Sequence, residues 1–394
     1  MLKRSFFKTE TLVALVIILL SFIIGGINPA YFTTANSFDL LRSSTEMGIF
    51  ALGVLIVIIS GGIDVSFTAI AVVSMYATTK LMLWMNYQGS VLLMFLIGAI
   101  IGILLGLINA AFISGSKWLA RIVTFVAVGV MVGYLIVQAL TMVNLPLATE
   151  LIIAIGAVLG ILSAVVVSGY VQGFRLPTLI VTLGTQSLFR GFTLFFIGPY
   201  HIIDRDMPPG MKEYFTSYII SIKTDNGITS LHSAILILVF FAILVWFILK
   251  YTMLGRGIYA LGGAPEAAER SGLNITAIQI FIYAFVGFLA GINGIVHTCL
   301  IQIANPQTIV GTELFVIAAV VLGGASITGG RGSVIGTLLG VALVIIMNNT
   351  LILMGIPSTY QRVVVGLIII IGTGVPAYQQ LMSERRMKIT NNEA

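Results

Sequence analysis

Apolar runs of about twenty residues, separated by short polar connections, recur along almost the whole of this chain. A run of that length crosses the ~30 Å hydrocarbon core of a bilayer as an α-helix. There each backbone amide needs a partner within its own segment, so the helix is the building unit. Of the 394 residues, 58% are hydrophobic and 9% charged, against about 25% charged in a soluble domain. The expected fold is therefore all-α, one polytopic transmembrane helical bundle over residues 1–394 with about twelve spans.

The spans fall at 11–27, 46–60, 66–86, 90–114, 119–144, 148–172, 177–198, 230–250, 275–299, 312–323, 333–356 and 361–382. The first is long and has no small-residue cleavage site, so it reads as a retained span and not a signal peptide. An even number of spans puts both ends on one side. That side collects Lys3, Arg4, Lys8, Lys117, Arg121, Arg175, Lys250, Arg256, Arg270, Arg331, Arg385, Arg386 and Lys388. The outer segment 200–229 holds only Arg205, Lys212 and Lys223. The bias places both termini, including the tail 383–394, in the cytoplasm. It also accounts for the net charge of +6 without nucleic acid; the expected surroundings are a lipid bilayer.

Two short spans end in glycine clusters, one at Gly61, Gly62 and Asp64, the other across 323–332. Glycine-interrupted segments at corresponding places point to a transport pathway, because broken backbone at membrane depth has to face protein or a water-filled cavity. Broken helices are thus expected to line the route.

The polar stretch 252–274 contains Pro265, Glu266, Ala267, Ala268, Glu269, Arg270 and Ser271, followed by Gly272. Proline just inside a helix start and glycine just past its end delimit a helix of about two turns. An isolated helix needs about 12–15 residues to be even marginal in water. This one needs a surface to pack on, and Ala267 and Ala268 would let another backbone come close. Charge bias places it in the cytoplasm.

Several chemistries are excluded. No Gly-Lys dipeptide occurs, so there is no phosphate-cradling loop and no expected ATP hydrolysis by this chain. His201, His232 and His297 are scattered and Cys299 is the sole cysteine, which leaves no zinc set and no intramolecular disulfide. No catalytic residue, bound metal or cofactor is expected; His297 reads as a packing residue.

Asp64 precedes Val65 and Ser66 at the start of an apolar run, the pattern of an N-cap, and a carboxylate at membrane depth is also a functional candidate. Arg190 lies two-thirds along its span and has two options: to snorkel outward, or to pair with Asp64, Glu46 or Glu313. Thr182 and Gln186 suit either a solute or a neighbouring helix. Asn305 and Glu313 belong to an outer loop entering a short span, and Asn348 is polar enough to face the bundle interior. With Gly61, Gly62 and Ser66 these are the pathway candidates. The segment 200–229 fits an external docking surface or an ordered loop.

Residues 97–124 align without gaps on 155–182, with ten of 28 positions identical and Lys117 on Arg175. A duplicated hairpin and convergent membrane composition both account for this.

Together these motifs resemble the permease subunit of bacterial ABC importers for monosaccharides, the ribose, xylose, arabinose and galactose type, with autoinducer-2 and nucleoside relatives. The resemblance rests on four motifs in order: Gly61–Ser66; 176–184 with Arg190 and Gly191; Gly255, Arg256 and Gly263 through Ala267 and Ala268 to Gly272; and 317–330 with Gly332 and Gly336. It implies a bacterial cytoplasmic membrane and a second permease subunit, in a homo- or heterodimer. It also implies two cytoplasmic ATPase domains carrying Mg-ATP, and an extracytoplasmic solute-binding protein. Residues 265–271 would be the coupling helix, in a coupling loop 252–274. The family usually has ten spans, which makes 118–175 an apparent inserted hairpin. The implied function is ATP-driven import of a small neutral solute, a monosaccharide before autoinducer-2 or a nucleoside. The rival from another class is an ion-coupled transporter using Asp64.

Overall fold

A computed structural model describes residues 9–142, 149–171, 173, 175–224, 227–309 and 311–356, and residues 360, 363, 366 and 367 beyond them. The expected span 361–382 and the tail 383–394 lie outside that description, the three isolated residues apart.

The helices are α1 (Thr9–Ile27), α2 (Thr34–Ile59), α3 (Phe67–Trp84), α4 (Val91–Ile113), α5 (Lys117–Met142), α6 (Thr149–Tyr170) and α7 (Thr178–Phe192). After them come α8 (Pro209–Phe215), α9 (Ala234–Tyr251), α10 (Met253–Gly263), α11 (Pro265–Arg270), α12 (Ile275–Ile301), α13 (Glu313–Leu322) and α14 (Val334–Leu353). Among the described residues ten helices are long and apolar enough to cross a membrane. The span expected at 312–323 is α13, with ten residues, about 15 Å of helix, half the depth of the core, so a crossing there takes in the glycine loop 323–332 as well. The second span is longer than expected. The Thr33 hydroxyl accepts the Asn36 amide at 3.3 Å and starts α2 a dozen residues before the apolar run at 46.

Small residues set the packing. α12 runs through the centre, with much of its length buried, and lies against α4 along a glycine seam. A methyl on Gly102 would overlap the carbonyl of Gly287, and one on Gly291 that of Gly98. In a bilayer, where apolar surface gains little from leaving lipid, such close backbone approach is what holds helices together.

Within 200–224 and 227–232 the chain forms short strands and turns. Ile202–Ile203 (β1) pairs antiparallel with Ile303–Ala304 (β4), and Tyr218–Thr224 (β2) pairs with Gly227–His232 (β3). His232 Nδ1 accepts the Ala234 amide at 3.0 Å, so Nε2 is the nitrogen that donates to Tyr214 O, also at 3.0 Å.

Candidate functional site

The short helix is built as its sequence implies. Pro265 occupies the first turn of α11. Gly272 takes φ +84°, its amide reaches Glu269 O at 3.0 Å, and the Leu273 amide reaches Ala268 O at 3.3 Å. This pair of bonds is a Schellman end. The two alanines part company: Ala267 is exposed, whereas Ala268 is 5% exposed and turned into its own chain. Only Ala267 is left for a partner, along with exposed Glu266, Glu269, Arg270 and Ser271. Glu266 and Arg270 form a 3.0 Å ion pair in the open, worth at most about 1 kcal/mol.

Within the coupling loop 252–274, the stretch before Pro265 is helical, α10. Gly255, Gly257, Gly262 and Gly263 depress helix propensity, yet they let the helix lie directly on other backbones. Gly255 and Gly257 are buried, and a methyl on Gly257 would stand 2.6 Å from Ile278 Cδ1. Arg256 and Gly263 are exposed. The Thr252 hydroxyl caps α10 by accepting the Gly255 amide at 3.1 Å.

The two glycine breaks meet at α10. A methyl on Gly262 would overlap Ile59 O, at the end of α2, and stand 2.6 Å from the Gly330 nitrogen. Gly330 N donates to Ile59 O at 2.8 Å. Gly61, Gly329 and Gly330 all have positive φ, at +81°, +88° and +74°, a conformation that costs other L-residues about 1–2 kcal/mol. Tyr259 Oη, from the middle of α10, donates to Gly332 O at 2.8 Å.

A polar thread runs inward from the first break. Asp64 Oδ1 accepts the Ser66 amide and hydroxyl, each at 2.7 Å, and Asn109 Nδ2 donates to the same hydroxyl at 2.7 Å. Asp64 therefore closes a turn two residues ahead of Ser66 and does not cap α3 itself, a correction to the capping expectation. Thr182 accepts the Val65 amide at 3.4 Å and donates to Ile63 O at 3.3 Å, while Thr178 accepts the Ile63 amide at 3.1 Å. Asp64 Oδ2 and Asn109 Oδ1 are buried without partners among the described residues.

At the far end of the thread is the half-length helix α13. Glu313, on its first turn, accepts Gln186 Nε2 at 3.1 Å, Thr68 Oγ1 at 3.4 Å and the Gly311 amide at 2.8 Å. Thr68 belongs to α3 and Gln186 to α7, so half-buried Glu313 ties the start of α13 to both helices. A carboxylate there also meets the positive end of the helix dipole.

Three candidates stand apart. Arg190 is exposed and forms no ion pair with Asp64, Glu46 or Glu313. Asn305 closes a turn by accepting the Gln307 amide at 2.9 Å. Asn348 is half-buried, and it is Asn349 that reaches across, to Asn36 Oδ1 at 2.8 Å. Asn109, a lone amide in apolar α4, carries no signal in the sequence, and Glu46, a candidate partner for Arg190, instead places Oε1 2.9 Å from Nδ1 of His297, the expected packing residue.

Residues 122–372 match the family described as branched-chain amino acid transport system / permease component. The ribose import permease protein RbsC of Haemophilus influenzae is 31% identical over 373 residues, covering 93% of this chain and 92% of that protein. The D-allose transport system permease protein AlsC of Escherichia coli is 27% identical over 349 residues, covering 88% and 85%. The autoinducer 2 import system permease protein LsrC of Salmonella choleraesuis is 31% identical over 227 residues, covering 58% and 61%. No solved structure gives a significant match.

Proposed function

We infer what this chain does from one premise: it belongs to the family of the branched-chain amino acid transport system / permease component. It is a multi-pass membrane protein, the transport subunit of an ABC importer and not itself an enzyme. Its proposed place is the bacterial cytoplasmic membrane with both termini inside. There it pairs with a second permease subunit, two ATPase domains that supply Mg-ATP chemistry, and an extracytoplasmic binding protein that delivers the solute.

The observation that carries this reading is α11: six residues, begun by Pro265 and closed at Gly272, with Ala267 and four polar neighbours facing outward. A helix that short is held by what it packs on, and one side of it is left over. We propose that this side seats in the ATPase.

The proposed cargo is a monosaccharide. Two of the relatives are named for ribose and allose. Ser66, Asn109 and Thr182 are fully buried and bonded within the chain, whereas half-buried Gln186 carries an amide that can donate to and accept from a neutral polyol. Isolating the binding protein that stimulates the reconstituted complex, and screening its ligands by thermal shift, tests this. A binding protein that takes only amino acids or only nucleosides would overturn the sugar assignment.

We also propose that 118–175 is an inserted hairpin on a ten-span core. Its two ends lie together: the Leu176 amide donates to Phe112 O at 3.1 Å. In α6, Gly156 and Gly160 pack on Gly133 and Gly129 of α5, as Gly98 and Gly102 of α4 pack on Gly291 and Gly287 of α12. The repeated helix thus found a glycine seam of its own. It is the second copy, in α7, that touches the first break through Thr178 and Thr182.

A further inference from the structure

We propose that α10 is the transmission element of this transporter, and that Gly262 and Tyr259 are positioning residues that make both helix breaks move with α11. The proposal rests on the reading that α11 meets an ATPase.

The backbone geometry leaves α10 little freedom of its own. Gly262 is wedged between Ile59 O and the Gly330 amide, which are themselves hydrogen-bonded at 2.8 Å. A methyl on Gly329 would stand 2.8 Å from Gly262 Cα and 2.9 Å from Gly61 Cα, and one on Gly330 would stand 3.1 Å from Gly263 Cα. Three segments therefore meet backbone to backbone: the end of α10, the break after α2 and the loop after α13. Close-packed contacts with no flexible side chain between them pass on displacement instead of absorbing it.

One turn earlier, Tyr259 hydrogen-bonds Gly332 O at 2.8 Å, which gives α10 a second grip on the same loop. One residue beyond Gly263, Ala264 joins α10 to α11. A push on α11 thus reaches the junction through about one residue of connection. The route through α9 or α12 would have to move an entire span. Beyond the junction, the break after α2 leads directly to Asp64 and Ser66, and the loop after α13 leads back through that helix to Glu313. One displacement at Gly262 consequently acts on both ends of the polar thread.

The test uses the assembled complex of this chain with its ATPase subunits, reconstituted in lipid. Cys299, 1% exposed, is replaced by Ala, and exposed Thr328 beside the junction is replaced by Cys as a reporter. The labelling rate with a water-soluble maleimide is compared with and without Mg-ATP and vanadate. The expected result is a several-fold change in rate when Gly262 and Tyr259 are intact. Tyr259→Phe, which keeps the ring and loses one hydrogen bond, should reduce that change by at least threefold, and Gly262→Ala should abolish it, while ATPase association and basal ATP hydrolysis persist. Should Gly262→Ala not assemble, Tyr259→Phe alone decides. A change of equal size in Tyr259→Phe, or no change with both residues intact and the ATPase bound, overturns the proposal. Failure of the unsubstituted chain to hold any ATPase overturns instead the importer reading on which it rests.

Discussion

Gly330 donates its amide to the carbonyl oxygen of Ile59 at 2.8 Å, fastening the loop after α13 to the end of α2 directly in front of α10. With φ at +74°, Gly330 is in a conformation that costs a residue with a Cβ about 1–2 kcal/mol. Gly330→Ala is expected to lower stability by at least that much, read as a reduced thermal midpoint of the purified chain in detergent. An unchanged midpoint would mean that the junction is loose.

The carboxylate of Glu313 depends on Gln186 Nε2 at 3.1 Å. Gln186→Leu removes a donor to a charged group, a bond worth about 1.5–3 kcal/mol, and leaves Glu313 with Thr68 and the Gly311 amide. Uptake by the reconstituted complex should fall roughly tenfold or more, since 1.4 kcal/mol is a factor of ten, with assembly intact. Uptake at the unsubstituted rate would remove Gln186 from the pathway.

Much of the bundle was legible because hydropathy is local. The ten long helices fall where the apolar runs are, and Pro265 and Gly272 mark the ends of α11 as their backbone preferences require. What escaped was settled across the chain. The glycines of α10 argue against a helix until its contacts with Ile59, Ile278 and Gly330 are known. Asn109 and Thr68 are ordinary polar residues until Ser66 and Glu313 are brought to them. The opposite facing of Ala267 and Ala268 depends on how α11 is rolled against its own chain, and a six-residue sequence carries no periodicity to fix that.

The α5–α6 hairpin should be dispensable for coupling. Removing residues 116–173 leaves ends already adjacent at Phe112 and Leu176 and keeps Thr178 and Thr182 at the first break. The shortened chain is expected to assemble with its partners and transport within about threefold of the full chain, roughly 0.7 kcal/mol on the scale where 1.4 is tenfold. Loss of transport with assembly retained would give the hairpin a part in the cycle.

Burial holds the imidazole of His232 below its ordinary value of 6.5, against the opposing pull of its bond to Tyr214 O, with Arg42 lowering it further. The folded state thus favours the neutral ring. That contribution is complete above about pH 6.5 and is lost as pH falls through the lower folded-state value. Thermal midpoints measured from pH 8 down to pH 5 should decline. His232→Phe should flatten that decline while lowering the midpoint at pH 8, because the bonds to Tyr214 O and Ala234 N are gone. An undiminished slope in the variant would assign the acid sensitivity to another group.

The two alanines of α11 give the sharpest separation between assembly and folding. Ala267 is exposed while Ala268 is 5% exposed and packed on its own chain. An indole at 267 has free space in the isolated subunit and meets resistance only where a partner covers the helix. At 268 added bulk is forced into filled space, which typically costs about 1–3 kcal/mol. Ala267→Trp is therefore expected to leave the thermal midpoint of the purified chain within about a degree, since surface changes are usually within ~0.5 kcal/mol. It should nevertheless reduce co-purification of the ATPase at least tenfold. Ala268→Leu should do the reverse in order of cause: the midpoint falls first, and ATPase association weakens only to the extent that α11 is displaced. If Ala267→Trp holds the ATPase as well as alanine does, the outward side of α11 is not the contact, and the partner has to be sought elsewhere on the same end of the bundle.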